Sequence, residues 1–199
     1  NKVYNTETGD KVNYANEAGE VGMSALDIGR MLVWLRILKE RNPYLANSVD
    51  NVPMRWNFCN LVDDDGRMFG AFKRGDGSTQ YVQEGRLGYE EYAAKGFALW
   101  GFDVDRALSP EPLNYTTIYD VKVPYDGRDP RIFKNQNYVL TEGYILDGLE
   151  MGWDLPSDTS YDGMTASHGW RAEFANRIYL VQQRRYEQTG IITARSEHQ

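Results

Sequence analysis

The sequence is poor in the residues that carry sulfur and metal chemistry. It holds one cysteine, Cys59, in 199 residues. One thiol excludes an intrachain disulfide and any multi-cysteine metal site. It fits the cytosol and equally a cysteine-poor bacterial periplasmic protein. The two histidines, His168 and His198, have no ligand-spaced partners, so no metal and no cofactor is expected. No Gly-rich phosphate loop and no nucleophile elbow occurs. No apolar run reaches the ~18 residues that crossing a bilayer needs, so no direct membrane insertion is expected of this segment. Positive charge is also short. Lys and Arg number 22 against 29 Asp and Glu, for a net charge of −7. A nucleic-acid partner needs a basic surface to neutralise phosphates, and this balance argues against one. A neutral or cationic ligand fits. No initiator methionine and no signal peptide is visible, and the start at "NKVYNTETGD" reads as an internal one.

What is plentiful is aromatic surface. Fourteen Tyr, five Trp and seven Phe make 13% of the chain. Two readings compete. The plainer is a core of packed rings. The sharper is a cleft whose ring faces stack on sugars, for which Tyr and Trp suit because each pairs an apolar face with a polar group.

Periodicity gives an outline of helices joined by long loops. "SALDIGRMLVWLRILKERNP" is expected to be helical. Ser24 is its N-cap, Asp27 follows three positions later, and Ile28, Met31, Leu32, Leu35 and Leu38 repeat at helical spacing before Pro43. A second helix is expected over "VPMRWNFCNLV", with Pro53 in its first turn. "DDDGRMFGAFKRGDGSTQYV" reads as a hairpin between Gly-containing turns. A third helix is expected over "GYEEYAAKGFALWGFDVDRAL", and "TTIYDVKVPYD" as one strand. "TEGYILDGLEMGWD" is a fourth helix, and "SHGWRAEFANRIYLVQQRRYEQTG" a fifth, closed by Gly190. Loops of this length are uncommon unless functional. "DDDG" at 63–66 lacks the alternating oxygen ligands of a calcium loop and reads as a turn. "RGD" at 74–76 reads as a hairpin tip, and "NYT" at 114–116 is only a formal glycosylation site.

The fourth helix carries four carboxylates, Glu142, Asp147, Glu150 and Asp154. At roughly 100° per residue, Ile145, Leu146, Leu149 and Trp153 fall within about 60° of Glu142. Asp147, Glu150 and Asp154 fall together at about 80° to 140°. Glu142 therefore heads the apolar stripe, and the other three are expected on a solvated or salt-bridging flank. A carboxylate on an inward face near a Trp is a candidate general acid. The alternative is plainer: Glu142 lies in the first turn, where the helix dipole favours an anion. Asp27 carries the same ambiguity. Glu197 follows Ser196 and also sits at a possible helix start. If those three helices run parallel about one axis, Asp27, Glu142 and Glu197 meet over one cavity. Two carboxylates about 5 to 10 Å apart are the usual equipment for glycosidic cleavage.

The segments "NKVYNTETG", "GMSALDIGRMLVWLRIL", "GRLGYEEYAAKGFALWGFD", "TEGYILDGLEMGWD" and "TGIITARSEHQ" resemble, in this order, a bacterial domain-of-unknown-function family. That family is related to the glucoamylase-like proteins of the six-hairpin glycosidase group. Its members often carry Trp where Met23 stands, and "SED" where this chain has "SEH" at 196–198. The resemblance implies a mainly α fold, an (α/α)-toroid with small β-hairpin excursions in its loops. The chain would be a single domain over 1–199, the central and incomplete part of a larger toroid, with the rest of that toroid as a partner. It implies an extracytoplasmic or periplasmic bacterial protein and an oligo- or polysaccharide ligand. The activity implied is a glycoside hydrolase-like one on a bacterial polysaccharide or β-glucan, with Glu142 as general acid and Glu197 or Asp27 as base. Trp153, Trp100, Tyr92 and Tyr14 would face the sugar. "FALWGF" also suits plain core, so Trp100 stays open between the two. The other class of function is a non-catalytic saccharide-binding or scaffold module in exopolysaccharide synthesis or export.

Overall fold

The structure, a computed structural model, describes residues 1–58, 60–83, 89–108, 113–133, 142–151 and 170–192. The chain divides into two compact units. The first comprises Asn1–Glu84 and Ala93–Leu108, the second Gly85–Tyr92 and Ser109–Gln199.

In the first unit Ser24 opens α1 (Ala25–Arg41) as expected. Its backbone is extended and its hydroxyl accepts from the amides of Leu26 and Asp27. That satisfies two of the four donors a helix start leaves open, worth about 1 kcal/mol. The helix ends at Arg41, with Asn42 as its C-cap just before Pro43. Its buried face differs from the expected one. Ala25, Gly29, Leu32 and Val33 are buried, while Met31 and Leu38 are each 39% exposed. The cause is a close crossing with α3 (Tyr89–Ala98). A Cβ on Gly29 would lie 2.7 Å from the Ala93 backbone, and one on Gly96 would lie 2.2 Å from the Gly29 carbonyl oxygen. Small residues let the two backbones touch there, so glycine, not methionine, faces inward.

The short strand β1 (Gly22–Met23) precedes α1 and pairs antiparallel with β2 (Phe69–Lys73), which pairs antiparallel with β3 (Thr79–Gln83). Gly22 has φ +128°, and a Cβ there would lie 1.8 Å from the Ala71 carbonyl oxygen, so only glycine fits. The expected hairpin is present. Its tip holds the "RGD" residues, with the Arg74 amide donating to Ser78 and the Asp76 carboxylate accepting from the Ser78 amide and hydroxyl. "DDDG" is a turn in which the Asp63 carboxylate accepts from the amides of Asp65 and Arg67.

Two expected helices are shorter than periodicity suggested. The helix expected over 52–62 is only a 3₁₀ turn, Pro53–Arg55, following the short α2 (Ala46–Asp50). Trp56 leaves that turn in an extended conformation. Phe58 then packs edge-on to Trp56, Phe97 and Phe102, with centroids 4.9 to 5.8 Å apart. Ring packing outweighs local helix propensity there. The third helix stops at Ala98. Gly101 takes φ +84°, and the chain returns through Val104 into the short α4 (Asp105–Leu108), burying Val104 and Ala107 in the core with Leu32, Leu61, Met68 and Phe97.

In the second unit the segment expected as one strand is a hairpin. β4 (Leu113–Ile118) turns back through Tyr119 and Asp120 into β5 (Val121–Asp126). Both turn residues have positive φ, 48° and 61°, as a tight two-residue hairpin turn requires. Neither is the Asn or Gly that signals such a turn at its first position, so the break is silent in the sequence. The short α5 (Pro130–Phe133) and α6 (Glu142–Met151) follow. The long α7 (Trp170–Thr189) is closed by Gly190 as expected. Val121 and Val123 pack with Ile178 of α7, and the Arg184 guanidinium donates to the Tyr119 carbonyl at 2.8 Å.

The (α/α)-toroid is therefore corrected. The fold is mixed, with two small antiparallel sheets among the helices. Stacked helical hairpins need repeated long helices. Among the described residues only α1 and α7, with 17 and 20 residues, exceed ten. The expected meeting of Asp27 with Glu142 and Glu197 involves side chains that lie outside the described residues.

Candidate functional site

An open cavity of about 430 Å³ lies at the start of α1 in the first unit. Asn1, Lys2, Val3, Tyr14, Met23, Ser24, Asp27, Ile28 and Met31 line it. Three local devices build it. The Ser24 cap fixes the first turn of α1 and sets Asp27 on its exposed side. The Asn1 side chain accepts from the Val21 amide at 2.8 Å and donates to the Val12 carbonyl at 3.3 Å, tying the first residues to the strand before α1. The Asn13 carboxamide accepts from the amides of Ala15 and Glu17, and so shapes the turn that presents Tyr14, which is 74% exposed. The Lys2 ammonium lies 5.3 Å from the Phe72 ring centroid. Apolar walls with a few polar groups of both hydrogen-bonding senses are the usual make-up of a small-molecule site.

Asn1 and Met23 also line a smaller hollow of about 180 Å³, with Lys11, Glu20, Lys73 and Tyr81. There the Lys11 ammonium lies 2.6 Å from the Glu20 carboxylate. Hydrogen bonding and charge attraction from Lys11 hold the Glu20 carboxyl below the usual carboxylate range. The same contact raises the Lys11 amine.

The second unit holds a different cluster, which is buried. Arg128 donates to Asp126 through Nε at 3.0 Å and Nη2 at 2.6 Å, and Nη2 lies 3.8 Å from Glu90. All three are at most 5% exposed. Glu91, also buried, neighbours Glu90 in α3. The Tyr92 hydroxyl donates to Glu150 of α6. One turn away Asp147 is 1% exposed. The expected faces of α6 are thus reversed. Ile145 and Leu149 are 50% and 78% exposed, and the supposed solvated flank of Asp147 and Glu150 turns inward. Buried acids need hydrogen-bonded or charged partners, and Tyr92 supplies one from an apolar-looking helix. No wheel drawn on α6 alone contains that partner.

Asp27 and Tyr14 meet at the open cavity, with Met23. Tyr92 is 2% exposed, and its ring offers no face to solvent. Trp100 is half-buried. Its indole nitrogen donates to the Leu32 carbonyl at 3.0 Å and the Lys39 ammonium lies 5.7 Å from its ring centroid. Glu142 is the first residue of α6, but its side chain lies outside what the structure describes. Trp153, Asp154 and Glu197 lie outside the described residues, as do Cys59, His168 and His198. The residues missed from sequence are Asp126, Arg128 and Glu90. "DGRD" at 126–129 was their local signal, since a strand end followed by a turn can fold a guanidinium back on a carboxylate.

The chain belongs to the family described as "Protein of unknown function (DUF3131)", whose sequence profile matches residues 1–199. No curated protein and no solved structure matches it.

Proposed function

We propose that this member of the family binds a saccharide in the cavity at the start of α1. The observation that carries the reading is the meeting there of Asp27, Tyr14 and Met23 in one open space of about 430 Å³. A sugar presents apolar ring faces and a rim of hydroxyls. Tyr14 offers an exposed ring, Ser24 and Asn1 offer hydrogen-bonding atoms, and Asp27 offers a carboxylate that accepts from hydroxyls. The resemblance to a family related to the glucoamylase-like proteins supports a bacterial polysaccharide or β-glucan as the ligand class, and an extracytoplasmic place of action.

The second reading is glycosidic cleavage at the same cavity, with Asp27 as one of two carboxyl groups. Among the described residues Asp27 is the one carboxylate lining the cavity. Hydrolysis normally takes two, so this reading needs a second acid beyond those that the described residues bring to the cavity. The saccharide-binding reading leads because it needs only the groups seen together.

Calorimetric titration with a panel of β-linked gluco-oligosaccharides and bacterial polysaccharides tests both. Binding that weakens about tenfold in Tyr14→Ala supports the site. Products with a defined anomeric configuration, lost in Asp27→Asn while binding persists, would establish the hydrolase. No binding by any member of the panel would remove both readings.

A further inference from the structure

We infer that the saccharide site extends out of the cavity along the exposed face of α1, with Trp34 as a second stacking platform. The inference rests on the saccharide reading of the cavity. Asp27, Met31, Trp34 and Leu38 fall within about 60° of one another around the helix. The buried residues Ala25, Gly29, Leu32 and Val33 lie on the other side. α1 is therefore apolar on both sides, which a helix with one face in solvent ordinarily avoids. Met31, Trp34 and Leu38 are 39%, 52% and 39% exposed. Among the described residues no ring or cation contact holds Trp34.

Met31 makes the connection, because it lines the cavity and also begins this stripe. Asp27 and Trp34 are seven residues apart, roughly 10 Å along the helix, so the track continues the cavity rather than forming a separate patch. Its width selects the occupant. A stable copy-to-copy interface buries about 800 Å² on each partner, more than three half-exposed side chains in single file provide. A linear polysaccharide needs a narrow track with an aromatic face and polar edges. Trp34 supplies the face, and Arg30 and Arg41 line one edge of the stripe.

The test compares cellobiose with a cello-octaose, and laminaribiose with a laminari-octaose, on the wild-type chain, Trp34→Ala, Trp34→Phe and Tyr14→Ala. The wild-type chain is expected to bind an octasaccharide about tenfold more tightly than the disaccharide. Trp34→Ala abolishes that advantage without changing disaccharide binding, Trp34→Phe restores most of it, and Tyr14→Ala weakens both lengths. If Trp34→Ala leaves octasaccharide binding unchanged while Tyr14→Ala weakens it, the extension is wrong and the cavity reading stands. If none of these saccharides binds, both fall. If sedimentation shows a wild-type dimer that Trp34→Ala dissociates, the face is a copy-to-copy interface and the extension is overturned.

Discussion

Tyr92 and Glu150 show how a single residue pair decides what a helix buries. The Tyr92 hydroxyl reaches Glu150 from a position 2% exposed, on a helix whose described side chains from Glu90 to Phe97 are all buried. A hydrogen bond to a charged acceptor is worth about 1.5 to 3 kcal/mol, and its loss leaves a half-buried carboxylate short of a partner. Tyr92→Phe is expected to lower the unfolding free energy by about 2 kcal/mol with an unchanged denaturant slope. An effect within about 0.5 kcal/mol in urea titration would mean the bond contributes nothing. Lys11 and Glu20 give the pH counterpart. Glu20 has its folded pKa depressed by Lys11, so its contribution to stability is present above the ordinary carboxylate range. It is lost as pH falls through the depressed value. Lys11→Met should return the Glu20 titration, followed by NMR of its carboxyl carbon, towards the ordinary range. An unmoved titration would assign the depression to some other group.

At the scale of elements, the crossing of α1 and α3 is the strictest constraint. Ala would be the better helix former at position 29 by about 1 kcal/mol. Its methyl carbon would meet Ala93 backbone at 2.7 Å, and that clash should outweigh the propensity gain. Gly29→Ala is expected to destabilise by roughly 1 to 3 kcal/mol. Stability unchanged or raised in thermal melts would place the helices further apart than described. The same element shows what the sequence made legible. Ser24 and Pro43 bracketed α1, Gly190 closed α7, and Gly-rich turns marked the β2–β3 hairpin, because caps and turns act through adjacent residues. The facing of α1 and α6 was not legible. Gly29 turns inward because Ala93 and Gly96 are small, and Glu150 turns inward because of Tyr92, 58 residues away. Hydrophobic periodicity registers neither relation. The β4–β5 turn escaped because Tyr119 and Asp120 adopt left-handed backbone without glycine.

For the whole molecule, charge and cavity bear on the ligand together. A net charge of −7 repels polyanions at low salt, while neutral hydroxyl-rich chains feel no such barrier. Of the candidate site, Asp27 was legible from its place after the Ser24 cap and Tyr14 only through the resemblance, and the structure brings them to one cavity. The toroid was read from resemblance alone, and the mixed fold with two small sheets replaces it. What survives that replacement is a local claim about the start of α1. The most direct measurement is an amide NMR titration of the chain with cello- and laminari-oligosaccharides. The account predicts saturable shifts centred on Lys2, Tyr14, Ser24, Asp27 and Ile28. Shifts confined to residues away from the start of α1, or no saturable shift with any of them, would contradict it.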